Sequence, residues 1–82
     1  MEPITKKIDG DLTVSEELTM LGMVTGNIIV LKGGVLDFQG TCNKDLILEE
    51  GSKVYLGGLV NGYVHTDDRG KTVVDPGAKI KN

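Results

Sequence analysis

The sequence predicts an all-β fold: a single-stranded right-handed β-helix, or β-solenoid, of roughly four triangular coils with about 18 residues in each coil. Three observations predict it. The glycines Gly22, Gly40 and Gly58 recur every eighteen residues, and aliphatic residues recur every six. Val, Ile, Leu, Thr and Tyr fill the runs between the glycines, whereas Gly, Asn, Asp and Lys separate these runs. This composition is typical of short strands joined by corners.

The six-residue period extends over most of the chain. An even period cannot follow one face of an α-helix, but it suits strands, in which alternate side chains share a face. Three six-residue segments make one coil of eighteen. The residues that carry the period are Leu12, Leu18, Val24, Val30, Leu36, Cys42, Leu48, Val54 and Val60.

The handedness is predicted from the residue that follows each aliphatic position. Left-handed hexapeptide helices share the period and stay possible, but they usually have a small residue at that place. The right-handed form is favoured because the residues found there are Thr25, Leu31, Asp37, Asn43, Glu49, Tyr55 and Asn61.

Residues 1–82 form one small domain, within which four segments are expected. Residues 1–21 make an irregular N-terminal cap coil, because their repeat to the next coil is sixteen residues, as between Ile8 and Val24. Residues 22–65 make the regular coils. Residues 66–73 make an inserted loop, and residues 74–82 the C-terminal coil, because Val74 and Ile80 match Leu48 and Val54 if about eight residues are inserted.

The even-numbered positions from residue 24 to residue 64 form the predicted core. Lys32, Lys44 and Glu50 interrupt this set and are expected at corners, where side chains turn outward. The predicted core residues are Val24, Gly26, Ile28, Val30, Leu36, Phe38, Cys42, Leu46, Leu48, Val54, Leu56, Val60 and Val64.

Two stretches of the chain resemble the bactofilins, the polymer-forming cytoskeletal proteins of bacteria. They are GTCNKDLILEEGSKVYLGGLVNGYV, which starts at Gly40, and TVVDPGAKIKN, which starts at Thr72. The likeness covers roughly residues 10–82. It implies a right-handed β-helix with eighteen-residue coils and a self-associating structural role. The chain departs from the family in its small number of coils, its lack of extended polar tails and the expected insertion.

The charge and hydropathy of the chain exclude several partners. The formal net charge is −3, and no basic cluster exceeds Lys6 and Lys7, so neither a nucleic acid nor an anionic membrane surface is an expected partner. The longest aliphatic run is four residues, which argues against membrane insertion. The N-terminus lacks the apolar segment of a signal peptide, and a lone Cys42 suits a reducing compartment, so a cytoplasmic location is expected.

The sequence offers few residues for chemistry. His65, Asp67 and Asp68 could offer one nitrogen and two carboxylates to a metal ion, but a metal site needs three or four ligands with supporting contacts, and a polar solvated loop is the better interpretation. Cys42 takes the place of Val24 and Val60 in the repeat, which indicates a small buried hydrophobe. We expect no catalytic residue, no cofactor and no metal.

Some outward positions are unexpectedly apolar. Ile29 and Ile47 are eighteen residues apart and are expected to stack on adjacent coils, with Leu31 in the same segment as Ile29. An apolar ladder on one face predicts an interaction surface. Met23 and Leu59, on a row of their own, add apolar area, and Val35 and Tyr55 extend it. The interaction surface therefore comprises Met23, Ile29, Leu31, Val35, Ile47, Tyr55 and Leu59.

Two functions of different classes are consistent with these features. The leading hypothesis is a non-enzymatic, bactofilin-like scaffold that forms homo-oligomers through its lateral apolar face or its ends, since a solenoid exposes unpaired backbone at each end. The alternative is a dedicated binder of one protein partner, such as an immunity protein that neutralises a toxin. In that case the acidic surface and a recognition loop with His65, Asp67, Asp68 and Arg69 would carry the binding.

Overall fold

The strands of this chain are short and follow one another at corners. The computed structural model describes the backbone of residues 3–66, 71–74 and 79–80 and the side chains of residues 3–66. Within those ranges all regular structure is β, without a helix. The strands are β1 (Leu12–Val14), β2 (Glu17–Met20), β3 (Met23–Val24), β4 (Ile28–Val30), β5 (Val35–Phe38), β6 (Thr41–Cys42), β7 (Leu46–Leu48), β8 (Lys53–Leu56), β9 (Leu59–Val60), β10 (Val64–Thr66), β11 (Lys71–Val74) and β12 (Lys79–Ile80).

The strands form three parallel sheets, which are the three sides of a β-solenoid. The first sheet has the order β1-β4-β7-β10, the second β2-β5-β8-β11 and the third β3-β6-β9-β12. Most neighbouring strands are eighteen residues apart, as in the pairing of Ile29 with Ile47. Each sheet has four strands, so the chain makes about three full turns from β1 to β10. The predicted solenoid is therefore confirmed, with the expected four coils present as four passes through each sheet.

The predicted core is confirmed almost residue by residue. Every large aliphatic side chain predicted to point inward is buried except that of Val64, which is half-buried on the terminal strand β10. Val14 and Met20 extend the core into the first coil. The buried side chains are Val14, Met20, Val24, Ile28, Val30, Leu36, Phe38, Cys42, Leu46, Leu48, Val54, Leu56 and Val60.

Glycine corners turn the chain from the first sheet into the second. Gly33 and Gly51 have φ values of 83° and 77°, which L side chains rarely adopt. Each is the third residue of a tight turn, in which the N–H of Gly34 donates to the carbonyl of Leu31 at 2.8 Å and that of Ser52 donates to Glu49 at 3.1 Å. The eighteen-residue spacing of these corners keeps the strands in register.

Two segment boundaries differ from the sequence prediction. The first coil keeps the expected sixteen-residue step, from Ile4, Ile8 and Leu12 to Met20, Val24 and Ile28. Residues 12–14 and 17–20 are nevertheless regular strands of the first two sheets, so the irregular part of the predicted cap ends before β1.

The predicted insertion at residues 66–73 is wrong as well. Thr66 belongs to β10, and Lys71 pairs with Lys53 at the regular eighteen-residue step. A longer step occurs later, since twenty residues separate Leu59 from its partner Lys79. The prediction failed because a shift by eight residues keeps every side chain on the same face of its strand, so alternation alone could not fix the register.

Candidate interaction surfaces

A ladder of polar side chains fixes the corner that precedes the first sheet. The Oδ1 atom of Asp11 accepts from the N–H of Asn27 at 2.8 Å, Oδ1 of Asn27 accepts from Asp45 at 2.9 Å, and Oδ1 of Asp45 accepts from Tyr63 at 2.9 Å. Each side chain thereby satisfies a backbone donor one coil further on. Alternation marks Asn27 and Asp45 only as outward residues and does not reveal this role, although their eighteen-residue spacing is a signal for it.

The outer face of the first sheet holds the stacked isoleucines. One row of outward residues runs Thr13, Ile29, Ile47 and His65 across its four strands. The expected stacking of Ile29 on Ile47 is therefore confirmed. Both side chains are only half-exposed, so the apolar area they present to solvent is smaller than an outward isoleucine suggests.

The other predicted surface residues lie elsewhere, and the expected single apolar face is wrong. Met23 and Leu59 are on the third sheet, with Thr41 between them. Val35 and Tyr55 are on the second sheet, where the Lys53 ammonium lies 4.7 Å from the centre of the Tyr55 ring. Met23 and Tyr55 are exposed at 37% and 38%, whereas Leu31, Val35 and Leu59 are half-buried.

The predicted surface residues are divided among three sheets because of the geometry of the coil. A step of six residues moves an outward side chain to the next side of the triangle, so residues 23, 29 and 35 point away from the axis in three different directions.

Two exposed apolar residues were not predicted. Leu21, 45% exposed, lies at the corner between β2 and β3, and Tyr63, 58% exposed, continues the row of Asp11, Asn27 and Asp45. Both occupy odd positions, so the alternation that marks the core would also have marked them as outward.

His65 belongs to a strand rather than to a loop. It lies outward on β10, with Nε2 3.1 Å from Oδ2 of Asp45 and its ring centre 6.0 Å from that of Tyr63. Hydrogen bonds from the Tyr63 backbone and from His65 hold the pKa of Asp45 below its ordinary value. The other residues of the predicted recognition loop, Asp67, Asp68 and Arg69, lie outside the described residues.

The buried polar groups serve the fold. The Cys42 thiol lies 3.4 Å from the carbonyl oxygen of Lys44, and burial raises the pKa of this thiol, which disfavours the reactive thiolate. The Ser52 hydroxyl donates to the carbonyl of Glu49 at 2.6 Å. Residues 3–66 contain no group of three or more His, Cys, Asp or Glu side chains placed to hold a metal ion. No helix of membrane-spanning length and hydropathy occurs in the described parts of the chain.

Inward side chains stack from coil to coil and form the columns of the core. At the N-terminal end of the solenoid the first residue of one column on each sheet, its top, is only partly covered. Ile4, Ile8 and Leu12 stand at the three sides of the triangle, pack against the buried core and remain half-exposed. No described strand pairs with the outer edge of β1. Beside it lies a shallow depression of about 160 Å³, lined by residues 13–18. Unpaired edges and apolar column tops together make this end a candidate interface.

Comparison of the chain with protein-family models, with curated proteins and with solved structures gives no match in any of the three.

Proposed function

We propose that this protein is a non-enzymatic β-solenoid scaffold that acts through protein–protein contacts, in the first place with further copies of itself. The observation that carries the proposal is the end of the stack, where Ile4, Ile8 and Leu12 remain half-exposed beside strand edges without a described partner. An open sheet edge presents a row of unpaired N–H and C=O groups, so a second chain at this end would extend the same core and the same hydrogen-bond ladder.

The end of the stack is a better contact surface than its sides. The lateral apolar residues are divided among three sheets, and on the first sheet the stacked pair Ile29 and Ile47 is flanked by the polar residues Thr13 and His65. At the N-terminal end, by contrast, three aliphatic side chains surround one axis. The other end of the first sheet shows the same feature more weakly, since Val64 on β10 is half-exposed as well.

The resemblance to bactofilins supports this class of function, because members of that family form polymers. A chain of 82 residues also buries a modest fraction of its surface, and self-association adds to its stability. A cytoplasmic setting, in which the single thiol stays reduced, belongs to the same proposal.

A test compares two variants by sedimentation velocity over a hundredfold range of protein concentration. We expect the parent chain to associate, Ile8→Lys to remain monomeric, and the Ile29→Lys/Ile47→Lys variant to associate like the parent chain. A lysine at the end would place two charges in a desolvated contact. Circular dichroism verifies that both variants keep the β fold. If association persists in Ile8→Lys but is lost in Ile29→Lys/Ile47→Lys, the interface lies on the first sheet and not at the end of the stack.

A second candidate is a dedicated binder of one partner, such as an immunity protein. It is favoured by the exposed ring of Tyr63, which lies next to His65 and Asp45, because aromatic residues are enriched in protein–protein interfaces relative to the rest of the surface. A parent chain that stays monomeric at every concentration in the same experiment would favour this candidate.

A further inference from the structure

The first residues of the chain have a self-complementary pattern centred on Ile8. Counting outward from Ile8, Lys7 mirrors Asp9, Thr5 mirrors Asp11, and Ile4 mirrors Leu12. Aliphatic residues thus face aliphatic residues, and a basic residue faces an acidic one. This symmetry is what an isologous contact requires, because each residue of one copy meets its mirror position on the other copy.

The backbone of this segment is oriented for such a contact. The N–H of Ile8 donates to the carbonyl of Met23 at 2.7 Å, and its carbonyl accepts from the N–H of Thr25 at 3.0 Å. Both polar groups of Ile8 therefore point into the solenoid. Backbone groups alternate in direction along an extended chain, so those of Lys7 and Asp9 point away from it, toward the open end.

We propose that two copies of this protein associate through their N-terminal ends about a two-fold axis beside Ile8, with residues 4–12 of each copy pairing in antiparallel fashion. This inference rests on the proposed self-association and names its partner surface. Lys7 then exchanges two backbone hydrogen bonds with Asp9 of the other copy, while Ile8 faces its own counterpart in a non-hydrogen-bonded pair.

In the same register, each copy covers the exposed end of the other copy's hydrophobic core. Ile4 of one copy lies opposite Leu12 of the other, so the half-exposed tops of all three columns become covered. Their burial supplies the main driving force, because removing apolar surface from water favours association.

Charge selects this register over its neighbours. Lys7 and Asp9 are exposed at 61% and 83% and form a 3.5 Å ion pair within one chain, which a second copy can replace with two pairs across the interface. A register centred on Lys7 would oppose that lysine to its own copy, and one centred on Asp9 would oppose two carboxylates. Like charges directly opposite each other are unfavourable, whereas opposite charges are favourable.

A charge-reversal series tests the arrangement. Lys7→Asp and Asp9→Lys should each weaken self-association by about thirtyfold, because two-fold symmetry applies each repulsion twice. An equimolar mixture of the two single variants should associate like the parent chain, since Asp at position 7 then meets Lys at position 9. Matched controls are Lys44→Asp and Glu49→Lys, which make the same charge changes at exposed corners.

Ile8→Cys gives an independent measurement. A non-hydrogen-bonded antiparallel pair brings its Cα atoms to about 4.5 Å, within the range of a disulfide, so mild oxidation should give a covalent dimer. Cys42 is buried and does not compete. A parent chain that stays monomeric overturns both this arrangement and the proposed function. A parent chain that associates, but with no rescue in the mixture and no disulfide dimer, overturns this arrangement alone.

Discussion

At the scale of single residues, the side chains of Asp11, Asn27 and Asp45 show how this solenoid holds its corners. Each accepts a hydrogen bond from a backbone N–H one coil further on, at Asn27, Asp45 and Tyr63 respectively. Asn and Asp can alternate in this ladder because both present an oxygen at the same distance from the backbone.

Asp45 makes stability depend on pH. Its pKa lies below the ordinary value of 3.8 in the folded chain, mainly because of the bond from the Tyr63 backbone. Ionised Asp45 therefore stabilises the fold above pH 3.8, and this contribution is lost as the pH falls through the lowered pKa. Asp45→Asn keeps the ladder oxygen, so its urea midpoint should change less between pH 5 and pH 2.5 than that of the parent chain. An identical pH dependence in both proteins would refute this role.

At the scale of strands and corners, the glycines at the corner between the second and third sheets allow the coils to stack. A Cβ atom on Gly22, Gly40 or Gly58 would collide with a backbone carbonyl of the preceding coil, at Lys6, Gly22 or Gly40 respectively. The carbonyls of Gly22 and Gly40 each accept a backbone hydrogen bond from the next coil, at Thr41 and Leu59, which holds these two oxygens in place. The eighteen-residue glycine repeat is therefore a packing requirement of the stacked coils.

Gly40→Ala tests that requirement. We expect it to lower the free energy of unfolding by about 2 kcal/mol or more, because overpacking forces the stacked backbones apart. Urea denaturation followed by circular dichroism measures the loss. Gln39→Ala is the matched control, since Gln39 is exposed at the same corner. A Gly40→Ala chain as stable as its control would show that the coils can separate without cost.

The sequence predicted the strands better than their arrangement around the axis. Alternation and the periods of six and eighteen identified the buried residues, because these patterns report the direction of each side chain directly. They did not separate the three sides of the triangle, so Met23, Ile29 and Val35 were grouped although they lie on different sheets. An end contact was expected because every solenoid exposes backbone at its ends, but the patterns did not identify Ile4 and Leu12 as its residues, since their exposure depends on which strands cover them.

At the scale of the whole molecule, the described strands pair along the sides of the solenoid, and at its N-terminal end no described strand pairs with the outer edge of β1. Within residues 3–66, the strands of the middle coils have partners above and below, whereas the edge of β1 has a described partner on one side only. This contrast is why we place self-association at the end of the stack.

Amide hydrogen exchange at two protein concentrations tests that claim most directly. The outward-pointing amides of Lys7 and Asp9 should exchange freely in dilute solution and become protected at high concentration, while amides in β6 and β7 exchange equally slowly in both. Protection that appears only at high concentration would place the contact at the N-terminal end. Equal exchange of Lys7 and Asp9 at both concentrations, in a sample that sedimentation shows to be associated, would contradict it.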